Sequence, residues 1–162
     1  KLMKRRGMRD FLVELIAKIR KEIPNVILRT SLIVGFPGET KEDFEELYDF
    51  IKEARFERLG AFSFSKEEGT PAEKMENQIH PMTKKSRYNK IMSLQQKIAS
   101  ETQQEMVGKE LEVLWEEKEG EYIKGHTTNY KVLKIPYKPI ENTISKAKIE
   151  KVENLELIGV ES

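Results

Sequence analysis

The sequence contains no cysteine. Disulfides, thiolate zinc sites, cysteine nucleophiles and any iron–sulfur cluster held by this chain alone are thereby excluded. Histidine is nearly as scarce. His80 and His126 are the two present, and a metal site built on them would need carboxylate help and has no recognisable spacing. Long apolar runs are also missing: nothing approaches the roughly 18 uninterrupted apolar residues of a membrane span. The basic opening KLMKRRGMRD is not followed by the short apolar stretch of a signal peptide. A cytoplasmic protein with no membrane association is expected. Charge of one sign is lacking too, since 29 Lys and Arg offset 28 Asp and Glu for a net +1. That balance gives no global pull toward nucleic acid.

What is present suits one medium domain, or a medium domain with a small module attached: 162 residues, 38% hydrophobic and 35% charged. The opening KLMKRRG carries neither a start methionine nor a helix cap and is expected to lie inside a longer polypeptide. The charge is uneven. Residues 108–162 hold 9 Lys and Arg against 11 Asp and Glu, a net of −2, so residues 1–107 carry a net of +3.

Helical and extended patterns alternate through the first half. Phe11, Leu12, Leu15, Ile16, Ile19 and Ile23 recur at spacings of three and four and predict an amphipathic helix over 9–23. Residues 26–36, VILRTSLIVGF, read as a buried strand before a Pro-Gly turn. Thr40 and Asp43 form a capping box for a second helix that buries Phe44, Leu47, Tyr48 and Ile51. FERLGAFSFS (56–65) reads as a second strand, and residues 66–81 as a loop leaving the sheet. Thr83 is expected to cap a long helix over 84–105 packed through Tyr88, Ile91, Leu94 and Ile98, with Gln95, Gln96, Gln103 and Gln104 on its polar side. The order helix, strand, helix, strand with short connections marks a parallel α/β sheet or barrel.

Beyond Lys109 the period changes to alternation. LEVLWEE, GEYIKGHTTNY, KVLKIP, ISKAKIEKV and LELIGV are five short strands separated by turn residues. Five strands in so short a span predict a small, partly closed all-β barrel of the OB type. The domain boundary is expected at 107/108.

Two stretches point to chemistry. In LRTSLIVGFPGETKEDF (28–44) a strand runs into a Gly-Pro-Gly turn and a capped helix, and strand ends of this kind carry the active sites of α/β barrels. Arg29, Ser31, Ile33 and Gly35 share one side of that strand, a polar and small-residue wall suited to a cofactor; Leu28, Thr30, Leu32 and Val34 share the packing side. In FERLGAFSFSKEEGTPAEKM (56–75), Ser63 and Ser65 alternate with Phe62 and Phe64 at a strand end. A structural βα turn and hydroxyls bonded to local backbone are the plainer alternatives.

With GFPGETKEDF, FSFSKEEGTPA, LQQKIASETQQEMVGKELEVL and a terminal β-module in this order, the chain resembles the C-terminal part of the methylthiotransferases of the radical S-adenosylmethionine superfamily. The resemblance spans nearly the whole chain. It implies an α/β fold in which residues 1–107 are the C-terminal part of a partial (β/α) barrel with parallel strands, and residues 108–162 a TRAM-like β-barrel that binds substrate. It also implies S-adenosylmethionine and two 4Fe–4S clusters as cofactors of the parent enzyme. The cluster-binding cysteines belong to missing N-terminal domains of the same polypeptide, and this chain alone is expected to be inactive. The family's adenine-contacting GxIxGxxE-like pattern maps onto Ile33 and Gly35. Ser31 stands where its first Gly would be, Glu39 falls one position late, and Arg29 is a neighbour. Phe64 and Ser65 occupy the place of the family's aromatic-Ser pair on the next strand.

Two substrates fit the resemblance: an aspartate of a small-subunit ribosomal protein, and tRNA. The first matches LRTSLIVGFPGE and FERLGAFSFSKEEGTPA; the tail GHTTNYKVLKIP looks more like a tRNA-modifying enzyme's module. The net −2 of the β-module favours a basic protein over phosphate. Trp115, Tyr122, Tyr130 and Tyr137 are either base-stacking residues or barrel core and rim. A non-catalytic RNA- or protein-binding module remains as a reading from a different class. His80 and His126 read as surface residues, and KLMKRR as an RNA contact or a solvated end. Half a barrel leaves strand edges unpaired, so self-association is expected.

Overall fold

The computed structural model describes residues 9–162, so the KLMKRR stretch lies outside the described residues. The chain divides into two compact units, the first ending at Ile98 and the second spanning Ala99–Ser162.

The first unit is built from α1 (Arg9–Glu22), β1 (Arg29–Val34), α2 (Lys41–Ala54), β2 (Arg58–Ser63), a 3-10 turn at Pro71–Lys74 and most of α3 (Pro81–Gln104). β1 and β2 are parallel neighbours in one sheet, in register from Arg29↔Arg58 to Val34↔Ser63, with α2 as the crossover. Among the described residues this sheet has two strands. Both parts of the capping box form: the Thr40 hydroxyl accepts from the Asp43 N–H at 3.0 Å and the Asp43 carboxylate from the Thr40 N–H at 2.9 Å. Arg55, left-handed at φ 45°, ends α2. Arg20 ties α1 to that end, donating to the carbonyls of Ala54 and Arg55 and to Glu57, while Glu57 also accepts from the Leu28 N–H. One face of the sheet, through Val34, Leu59 and Ala61, packs with Phe44, Ile51, Phe56, Ile91, Leu94 and Ile98 into the core.

Four details depart from the sequence pattern. The apolar stripe over 9–23 is only partly covered: Phe11 is 57% and Ile23, just past α1, 55% exposed, whereas Ile16 and Ile19 are half-buried and Ile16 joins the core periphery. α3 starts at Pro81, so Thr83 lies inside its first turn and not at its cap; proline's fixed φ and missing N–H suit the first helical position. Gln95 and Gln103 are buried, not on a polar face. Their amide N–H groups donate to the carbonyls of Phe56 at 3.0 Å and Leu155 at 2.7 Å, backbone acceptors that no periodicity reveals. Finally, β2 stops at Ser63, which leaves Phe64 and Ser65 beyond the strand.

The second unit contains β3 (Glu110–Glu119), β4 (Tyr122–Thr127), β5 (Val132–Pro136), β6 (Ile144–Glu153) and β7 (Glu156–Glu161). Their order is β3-β4-β5-β7-β6, and β3 pairs with β6, so the barrel is fully closed and not partly closed as the strand pattern predicts. Two paired devices explain the closure. The register shifts between Trp115 and Glu117 opposite Gly125, and between Ile149 and Lys151 opposite Gly159. A Cβ at Gly125 would run into the Leu114 carbonyl, and one at Gly159 into the Lys148 carbonyl. Bulges with glycine opposite let long strands coil tightly enough to meet. Trp115 is wholly buried with Val113, Ile123, Leu133, Ile149 and Leu157, and its indole N–H donates to the Ser145 hydroxyl at 2.8 Å. No helix among the described residues is long and apolar enough to cross a membrane.

Candidate functional site

The face of the β1–β2 sheet away from the core is open. Arg29, Ser31 and Ile33 line it from β1, opposite Arg58, Gly60 and Phe62 of β2. Ile33 is 44% and Phe62 60% exposed, an apolar pair in direct register at the strand ends. Beside them Ser31 faces Gly60, whose missing side chain leaves a shallow slot: the nearest neighbour of a Cβ at that position would be the Phe62 ring, at 3.8 Å. This face has the mixed polar and apolar character of a wall against which a flat, partly polar ligand packs.

The turn above it is rigidly held. The Glu39 N–H donates to the Phe36 carbonyl at 2.9 Å, closing a turn with Pro37 second and Gly38, at φ 82°, third. Glu39 accepts from the Gly35 N–H at 2.9 Å and from Arg87 at 2.5 Å, and Arg87 also donates to the carbonyls of Glu39 and Thr40. Gly35 is itself left-handed at φ 75°, and a Cβ there would lie 2.5 Å from Cγ of Lys84. The close approach that Gly35 permits is therefore taken by this chain's own Lys84. The Lys84 ammonium donates to the Phe64 carbonyl at 3.0 Å and sits 4.9 Å over the Phe64 ring, which meets Phe36 edge-on at 5.2 Å.

The structure thus brings Arg29, Ser31 and Ile33 together on one face. Gly35 and Phe64 meet at the top through Lys84, Phe64 half-buried and Ser65 exposed beyond it. Sequence reasoning misses Phe62, Gly60, Lys84 and Arg87 as site residues. Phe62 has a legible signal, its alternation with Ala61 along the strand. The two α3 cations have none, because Arg87 and Lys84 reach the turn from more than 40 residues away.

On the barrel, Trp115 is core and cannot stack on a base, whereas Tyr122, Tyr130 and Tyr137 are 40%, 69% and 38% exposed. His126 places Nδ1 2.7 Å from the Glu116 carboxylate beside a hollow of about 520 Å3 that includes Leu114, Tyr130 and Ile144. His80 is exposed, its Nδ1 accepting from the Met82 N–H at 3.2 Å. Among the described residues no group of three or more His, Cys, Asp or Glu is placed to hold a metal ion.

A parallel strand–turn–helix unit with one open sheet face, followed by a closed five-stranded barrel, makes this an α/β protein with an appended β-module. No protein-family model matches the chain. Individual relatives do. It is 56% identical over 115 residues to the ribosomal protein uS12 methylthiotransferase RimO of Alkaliphilus oremlandii, covering 70% of this chain and 26% of that protein. The RimO of Anaeromyxobacter sp. is 55% identical over 114 residues, 70% of this chain and 24% of the relative. That of Clostridium perfringens is 49% identical over 129 residues, 78% and 29% respectively. The chain belongs to the RimO methylthiotransferase family, and it spans about a quarter of the length of the curated relatives it matches.

Proposed function

We propose that the chain is the C-terminal part of a cytoplasmic uS12 methylthiotransferase, which inserts a methylthio group into an aspartate of that ribosomal protein by radical S-adenosylmethionine chemistry. The observation that carries this is the 49–56% identity to RimO proteins over 70–78% of the chain. In this reading residues 1–107 are the last portion of a partial (β/α) barrel and residues 108–162 a TRAM-like substrate module. The open faces of the first unit support it. The exposed part of the α1 stripe and the sheet, two-stranded among the described residues, are surfaces that neighbouring barrel elements would cover.

The residues on the open sheet face fit S-adenosylmethionine in character. Ile33, with Phe62 opposite, offers an apolar surface for an adenine ring; Arg29 and Ser31 offer polar contacts lower on the wall. Gly35 and Phe64 frame its upper end and Ser65 lies just outside. The Glu39–Arg87 pair and Lys84 hold that frame in place and so keep the wall pre-formed. When bound, S-adenosylmethionine supplies the radical chemistry that activates a C–H bond. The iron–sulfur clusters do not fit this chain: with no cysteine it has no thiolate to ligate them, and they belong to the remainder of the parent polypeptide. The barrel positions the substrate, and its net −2 suits a basic ribosomal protein.

The test is reconstitution of the full-length protein with iron and sulfide, followed by mass spectrometry of uS12 and of tRNA. A methylthio mass increase on uS12 is expected. Modification confined to tRNA overturns the substrate assignment, and modification of neither overturns the enzyme reading in favour of a binding module.

A further inference from the structure

In the first unit, residues of α2 and α3 line an open groove of about 980 Å3. Two aromatic residues line it, buried Phe44 and half-buried Tyr48, with ring centres 6.5 Å apart. Its walls are cationic. Lys52 lines it from α2, and Lys85 and Lys90 line it from α3, about 7.5 Å apart along the helix axis. None of these three lysines has a carboxylate partner among the described residues. Between them stand hydrogen-bond donors without charge, Ser86 and Asn89. Glu45 is the sole carboxylate lining the groove, and it is 3.5 Å from Lys41.

We propose that the α2–α3 groove binds a segment of single-stranded RNA. Unpaired cations on both walls with neutral donors between them match a chain of phosphates, whose counterions are released on binding. The half-buried Tyr48 ring in the lining matches a base, which an acidic peptide does not supply. Charge alone would suit either polyanion; the aromatic lining favours the nucleic acid. The groove stands on its own geometry. Under the function proposed above, the groove would add an RNA contact to the protein contact of the barrel.

The test uses the full-length protein and a fluorescein-labelled oligouridylate, with anisotropy read across a salt series and polyglutamate as competitor. K85Q/K90Q is expected to weaken binding about tenfold at low salt and to flatten the slope of log K against log salt by roughly 1.4, the contribution of two single-strand phosphates. K85R/K90R is expected to keep both. Tyr48→Leu is expected to weaken binding about tenfold with the salt slope unchanged, and Tyr48→Phe to retain it. Circular dichroism verifies that each variant is folded. Unchanged affinity and slope in K85Q/K90Q overturn the proposal, as does displacement by polyglutamate at equal charge concentration, which would assign the groove to an acidic protein. Methylthiolation of uS12 by a protein that does not bind the oligouridylate overturns the groove alone. RNA binding lost in K85Q/K90Q supports the groove whether or not uS12 is modified.

Discussion

Arg87 closes on Glu39 with Nη1 2.5 Å from Oε1, both side chains nearly buried at 11% and 12% exposure. The same carboxylate holds the Gly35 N–H, so one ion pair links α3 to the turn that ends β1. Removing one partner leaves the other charge buried without compensation. Arg87→Ala and Glu39→Ala are each expected to lower unfolding free energy by about 3 kcal/mol. The double variant should cost much less than the sum, because neither charge is then stranded. Urea titrations of the four proteins check this; strict additivity would show that the pair is not coupled.

Gly35 and Gly38 are both left-handed but differ in surroundings. A Cβ at Gly38 meets nothing within 4 Å, whereas one at Gly35 meets the stem of Lys84. Gly38→Ala is expected to cost only the backbone strain, about 1 kcal/mol. Gly35→Ala should cost more, about 2–3 kcal/mol, because Lys84 must also give up its place over Phe64. Equal losses in thermal unfolding would refute the role assigned to Lys84.

The chain has a single tryptophan, and it lies in the barrel core. Intrinsic indole fluorescence therefore reports unfolding of the second unit alone. Gly125→Ala places a methyl against the Leu114 carbonyl at the β3 bulge and is expected to destabilise the barrel by about 3 kcal/mol. The fluorescence midpoint in urea should fall, while helical circular dichroism, dominated by the first unit, should move less.

Hydrogen bonds from the Thr40 backbone and then its side chain hold the Asp43 carboxyl below its ordinary value. A depressed carboxyl stabilises the fold fully above the unfolded aspartate value of about 3.9, and that stability is lost as pH falls through the lower folded-state value. The capping contribution to α2 should thus be constant from pH 5 upward and fade below pH 4. Thr40→Ala is expected to cost about 1 kcal/mol at pH 7. Asp43→Asn should abolish the acid-side loss attributable to this box, as read from stability curves between pH 2.5 and 7.

Expressed by itself, the chain is expected to self-associate. Among the described residues its sheet has two strands with unpaired edges, and Phe11, Leu12, Leu15 and Ile23 of α1 and its C-terminal end expose apolar surface. Light scattering should give a mass above 18.9 kDa that depends on concentration. Leu15→Glu should reduce it, and a monomer at every concentration would refute the expectation.

The elements themselves were written locally in the sequence. Spacings of three and four marked the helices, Thr40 and Asp43 marked a helix start, and the change to alternation after Lys109 marked five strands. These signals are legible because they rest on side chains within a turn or two of one another. Even the division of β1 into a packing side and an open side with Arg29, Ser31 and Ile33 follows from the two-residue period of a strand. Tertiary structure alone decided what lies across the chain. Arg87 and Lys84 return to the turn at residues 35–39, the buried amides of Gln95 and Gln103 find distant backbone carbonyls, and β3 meets β6 to close the barrel through bulges facing Gly125 and Gly159. Those outcomes depend on which distant groups arrive at the same place, and the energy of a contact between distant residues is written in neither local sequence taken by itself.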